Sequence, residues 1–157
     1  FCSQPYDTVI LAPDVGRAPM AQAYAKRLGV GFGLIDKRRT SPNKAEVVHL
    51  IGDMKDKKVI VMDDMIDTAG SMIGASDSAV ESGAASVVAL ATHALFSADA
   101  TEKIMSSSIE KVIVTDTVNI APDKTFDKLE IISGASLFAD AIANIHSGES
   151  VSALFEV

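Results

Sequence analysis

The sequence predicts an α/β domain: a largely parallel sheet with helices on both faces. Three observations lead there. Short apolar runs alternate with segments of helical period, which is the pattern of strand-helix-strand units. One of these runs, Val59-Ile60-Val61, is apolar without a break, as a strand buried on both faces of a parallel sheet should be. The chain has 157 residues, 48% of them hydrophobic, with Gly and Pro scattered, so there is enough apolar material for one core and one domain.

In chain order, strands are expected at residues 8–12, 31–35, 58–62, 86–92, 111–115 and 129–133. Helical spacing fills 18–28, 67–82, 98–106 and 135–146. In the first helix Pro19 fits the opening turn. In the last, Phe138, Ala141, Ile142 and Ile145 share a face, and Ser106-Ser107-Ser108 reads as the stop of the third. His49 and His146 fall on helix-like segments and read as surface residues. No internal repeat or low-complexity linker interrupts the pattern.

The bulk chemistry excludes several classes. A formal charge of -7 argues against a nucleic-acid surface, which needs clustered cationic charge. No apolar run approaches membrane-spanning length and no signal-peptide pattern opens the chain, so the cytoplasm is the default expectation. The single cysteine, Cys2, excludes an internal disulfide and a multi-cysteine zinc site.

Open α/β sheets bind ligands at the carboxyl ends of their strands, so the candidate chemistry is sought there. The run from Val59 to Ser71 is a strand ending in Asp63 and Asp64, followed by the small-residue turn Asp67-Thr68-Ala69-Gly70-Ser71 at a helix start. Two carboxylates can accept hydrogen bonds from the hydroxyls of a vicinal diol, and free N–H groups at a helix start suit a phosphate. Together they read as a grip for a sugar phosphate. The competing reading is an acidic helix cap, but a cap needs one oxygen, and adjacent like charges repel unless something uses them. Asp67 would then turn its oxygens to loop N–H groups rather than to the ligand.

Lys37, Arg38 and Arg39 follow a strand, with Lys44 beyond, and put positive charge at the ligand edge of an acidic chain. Such a knot suits a polyphosphate, or it is a solvated loop. Asp14, in Pro13-Asp14-Val15-Gly16-Arg17, either caps the next helix or offers an oxygen to magnesium, which needs few protein carboxylates when phosphates supply the rest. His93 ends a strand and suits phosphate contact, proton transfer or a structural hydrogen bond.

The Val59–Ser71 run closely resembles the phosphoribosyl pyrophosphate signature of the type I phosphoribosyltransferase fold. The stretches Ile35 to Arg39, Ala91 to Ser97 and Ser150 to Phe155 resemble the C-terminal half of the ribose-phosphate pyrophosphokinase family, and together the matches span almost the whole chain. The resemblance implies transfer of pyrophosphate from ATP to C1 of ribose 5-phosphate, with Mg2+ as cofactor. It implies Lys37 and Arg39 as a catalytic pair on a flexible loop, Arg39 also among the sugar-phosphate contacts, and Asp14 as a magnesium ligand in a pyrophosphate loop. Ser150 and Ser152 match residues lining a regulatory phosphate or ADP site in a homo-oligomer, hexameric in many relatives. No covalent nucleophile is implied; Asp64 is a candidate general base. The chain opens on Phe1 rather than Met, which reads as a cut, and the resemblance implies a missing N-terminal half of similar fold. The family pattern has Gly where Arg17 stands and Arg where Met20 stands; Arg17 either blocks a close backbone approach or replaces the missing charge. A noncatalytic synthetase-associated regulator and a nucleobase phosphoribosyltransferase are the alternatives.

Overall fold

The computed structural model describes residues 7–38 and 47–155. The first expected strand is β1 (Thr8–Ala12), and a 3-10 turn at Val15–Arg17 leads into α1 (Ala18–Leu28). Then come β2 (Gly31–Arg38), β3 (Val47–Ile51), β4 (Lys58–Ile66), α2 (Gly70–Glu81) and β5 (Ser86–Ala94). The chain continues through α3 (Ala100–Ser106), β6 (Lys111–Thr115), β7 (Leu129–Ile132), α4 (Ala135–Ser147) and a 3-10 turn at Val151–Phe155.

Among the described residues the strands form one seven-stranded sheet in the order β3-β2-β1-β4-β5-β6-β7. Every neighbour pair is parallel except β2 with β3. The α/β class with a largely parallel sheet is therefore what the chain forms. β3 is a strand the pattern did not predict, β2, β4 and β5 run on past their expected ends, and α2 starts at Gly70 rather than at Asp67. β3 carries His49 on a strand rather than a helix, opposite Asp36 of β2. That antiparallel pairing also carries β2 on through Lys37 and Arg38, so these residues belong to a strand rather than to a loop following one. The β2–β3 ribbon is tight: a Cβ on Gly33 would collide with the Met54 side chain and lie 3.1 Å from the Ile51 carbonyl oxygen.

Alternation along the strands gives the sheet two apolar faces. Ile10, Ala12 and Met62 pack with Ala21 and Ala25 of α1 on one face. Val9, Leu11, Val59 and Val61 pack with Met72, Ala75 and Ala79 of α2 and Ile104 of α3 on the other. Small alanines on α1 and α2 let the helices come close to the central strands, where burial is complete. α4 is different, because none of its residues is buried and Phe138, Ile142 and Ile145 are exposed. It is held at its start by Asp116, whose carboxylate accepts hydrogen bonds from the Ser133 hydroxyl at 2.5 Å and the Gly134 N–H at 2.8 Å. No described helix is long and apolar enough to cross a membrane.

Candidate functional site

The strand order reverses between β1 and β4: the chain leaves β1 for β2 on one side and β4 for β5 on the other. Such a switch point opens a crevice beyond the carboxyl ends of the two strands. The lengths of the strands deepen it. β1 pairs with β4 only as far as Leu11 opposite Val61, whereas β5 supports β4 on to Ala94 opposite Ile66. Asp63 and Asp64 therefore lie on a stretch of strand without β1 beside it, rather than in a loop. They line a solvent-open cleft of about 200 Å3, together with Asp14, Arg17 and the run from Met65 to Met72.

The acid pair is bound internally. The Asp64 N–H donates to Asp63 Oδ1 at 2.8 Å. Arg17 reaches across from the other turn, Nε donating to Asp63 Oδ1 at 3.1 Å and Nη1 to Asp64 Oδ2 at 2.8 Å. The Asp63 side chain is only 12% exposed. Burial pushes its carboxyl up from 3.8 to about 6, helped by neighbouring Asp64, against the opposing pull of the Asp64 N–H and the Arg17 charge.

Next comes the turn. Ala69 is left-handed, with φ 63°, and among the described residues no side chain caps the N-terminus of α2. The first N–H groups of a helix have no partner within it, so this uncapped start, with the exposed Thr68, Gly70 and Ser71 around it, presents donors and hydroxyls to the cleft. Its position is fixed from behind. Leu95 and Phe96 donate their N–H groups to the Ile66 carbonyl, and Ser97 donates to the Asp67 carbonyl at 2.9 Å. The Asp67 carboxylate makes no hydrogen bond among the described residues, so its expected role in stiffening the turn falls to its backbone oxygen.

Asp14 behaves as the capping reading expects: its Oδ1 accepts the Arg17 N–H at 3.1 Å. Its second oxygen makes no hydrogen bond among the described residues, and it lines the cleft, so one hard oxygen donor is available to a magnesium ion. No cluster of three or more potential metal ligands occurs among the described residues. Lys37 lies on β2, and its predicted partner Arg39 falls outside the described residues, as does Lys44. His93 is not on the cleft lining. Its Nδ1 is 2.9 Å from Thr117 Oγ1, which donates to the Thr92 carbonyl at 3.1 Å, a link between β5 and the end of β6 that fits a structural role. Ser150 and Ser152 lie after α4 and are exposed; the Ser150 carbonyl accepts from Asn144 Nδ2. Neither is on the cleft lining. Sequence reasoning missed the Ser97 support and left Arg17 an open question; its position three residues after a capping Asp was the available signal.

A reversed strand order, an acid pair beyond the shorter strand and an open helix start define a type I phosphoribosyltransferase-like domain. The family described as the phosphoribosyl synthetase-associated domain matches residues 39–156, and this chain belongs to it. It is 44% identical over 149 residues to a ribose-phosphate pyrophosphokinase of Caldanaerobacter subterraneus, covering 95% of this chain and 47% of that relative. The crystal structure of phosphoribosylpyrophosphate synthetase from Mycobacterium smegmatis superposes with a TM-score of 0.84 at 36% identity, over 91% of this chain and 46% of that one. The chain thus spans about half the length of these relatives. An adenine phosphoribosyltransferase from Trypanosoma brucei, solved with AMP, pyrophosphate and ribose-5-phosphate, shares the fold at 21% identity, with a TM-score of 0.55 over 87% of this chain and 69% of that one.

Proposed function

We propose that this chain is the C-terminal, phosphoribosyltransferase-like half of a ribose-phosphate diphosphokinase. The protein transfers pyrophosphate from ATP to the C1 hydroxyl of ribose 5-phosphate and releases phosphoribosyl pyrophosphate and AMP. One observation carries the reading: in a single cleft, a carboxylate pair suited to a diol stands beside an uncapped helix start suited to a phosphate.

In this reading Asp63 and Asp64 hold the ring hydroxyls, and residues 67–71 wrap the 5-phosphate with N–H groups and hydroxyls. The C1 hydroxyl is left facing the β-phosphorus of ATP. Its oxygen forms the new bond and gives up its proton, with Asp64 the candidate acceptor, while the bond from that phosphorus to the α,β-bridging oxygen breaks and AMP departs. Holding the reactants in line accounts for much of the acceleration in such transfers. Lys37 and Arg39 supply cationic donors as charge moves onto the leaving oxygen; preorganised donors of this kind commonly contribute roughly 3 to 4 kcal/mol each. Mg2+ neutralises phosphate charge when bound, with Asp14 as its protein ligand.

The assembly is a homo-oligomer in the cytoplasm, hexameric as in many relatives, with Ser150 and Ser152 at a site for phosphate or ADP. The ion pairs of Arg17 with Asp63 and Asp64 favour a second reading, a noncatalytic regulator whose sugar clamp is already filled. Incubating the full-length protein with ATP, magnesium and ribose 5-phosphate separates the two. AMP and phosphoribosyl pyrophosphate appearing in equal amounts is the expected result, and assembly with a synthetase partner but no product supports the regulator.

A further inference from the structure

Arg17 spends two of its five guanidinium donors on the acid pair, one on each carboxylate. Asp63 Oδ1 already accepts the Asp64 N–H, so the arginine shares an oxygen that is in use. Its backbone is separately anchored: the Arg17 N–H donates to the Asp14 carbonyl at 3.3 Å and to Asp14 Oδ1 at 3.1 Å. The side chain is 38% exposed, so it can swing while the turn stays in place. An empty clamp of two adjacent carboxylates needs a cation. A neutral diol replaces the hydrogen bonds that cation makes, but not its charge.

We infer that Arg17 is the resident counter-ion of the Asp63–Asp64 clamp, and that sugar binding is an exchange in which the diol takes the carboxylate oxygens and the guanidinium turns to the incoming diphosphate. The inference rests on the pentose-phosphate reading of the cleft. It makes Arg17 a positioning residue that couples two ligands. Arg17 opposes the sugar when it is alone and favours it once an anionic diphosphate has drawn the guanidinium off the acids. Linkage requires the sugar to help diphosphate binding by the same factor.

The test is calorimetry on the full-length protein, with ribose 5-phosphate and magnesium pyrophosphate as probes, each titrated alone and in the presence of the other. Arg17→Ala is expected to bind ribose 5-phosphate alone about 3- to 10-fold tighter and pyrophosphate alone at least about 5-fold weaker, as removing a partly exposed ion pair and a phosphate donor would do. The help each ligand gives the other should fall by a similar factor. Arg17→Lys, which keeps the charge without the fork, should retain the sign of the coupling. In the wild-type protein the Arg17 Nε–H resonance should shift on adding ribose 5-phosphate together with pyrophosphate, a readout that needs no variant to fold. Weaker sugar binding in Arg17→Ala, or coupling equal to that of the wild type, overturns the exchange while leaving the pentose reading intact. Failure of the wild-type protein to bind ribose 5-phosphate sinks both.

Discussion

The turns that follow β1 and β4 face each other across the cleft and are built on opposite plans. After β1, Asp14 is extended, accepts the Arg17 N–H and closes the turn on itself before α1 begins. After β4, Ala69 takes up a left-handed conformation and, among the described residues, no side chain caps the start of α2. A turn that satisfies its own donors is left with side chains to present, here a carboxylate oxygen and a guanidinium. A turn that leaves its donors open presents backbone, which suits a phosphate whatever its side chains are. The open turn has to be held by something else, and the segment after β5 does this through its hydrogen bonds to Ile66 and Asp67.

That difference can be broken most severely through Phe96, which is fully buried, has φ 48° and meets Phe126 edge-on with ring centroids 5.5 Å apart. Phe96→Ala should cost about 3 to 5 kcal/mol of stability by chemical denaturation. Hydrogen exchange should quicken in the turn after β4 before the turn after β1. Next in size is Ala69→Val. A β-branched side chain at φ 63° in a buried position should cost about 2 to 3 kcal/mol and weaken binding of a sugar phosphate, with the Asp14 turn unaffected.

A smaller effect tests the electrostatics between the turns. The Asp63 carboxyl titrates at about 6 in the folded protein and at the ordinary 3.8 when exposed, so the folded state binds the extra proton between those values. Its contribution therefore lowers stability as pH rises from 3.8 to about 6, and the loss stays constant above that. Asp63→Asn should remove this slope and stabilise the ligand-free protein by about 2 kcal/mol at pH 8, with no gain below pH 4, in thermal melts across pH. Asp14→Ala should cost about 1 kcal/mol as a lost cap. Asp14→Asn should keep that stability, since the amide oxygen still accepts from the Arg17 N–H, while raising the magnesium concentration needed for turnover.

Much of the scaffold was legible because it is local. β1, α1 and β6 have the boundaries that their apolar patterns predict, since burial of alternate or periodic residues is written into adjacent positions. The clamp was legible for a related reason: two acids at the end of an apolar run are conspicuous. β3 was not, because the five residues Val47-Val48-His49-Leu50-Ile51 are too few for their period to separate strand from helix, and it is pairing with β2 that makes it a strand. The length of β4 was hidden for the same reason. Asp63 to Ile66 are polar or mixed, and they are extended because β5 runs beside them.

The sequence by itself determined the alternation of strand and helix, the acid pair and the small-residue turn, because neighbouring side chains encode each of them. Only the tertiary structure decided that Arg17 lies on Asp63 and Asp64, that Ser97 holds the Asp67 carbonyl and that Lys37 stands on a strand. Each rests on a contact between separate segments, and such contacts depend on strand order and register, which no local pattern carries.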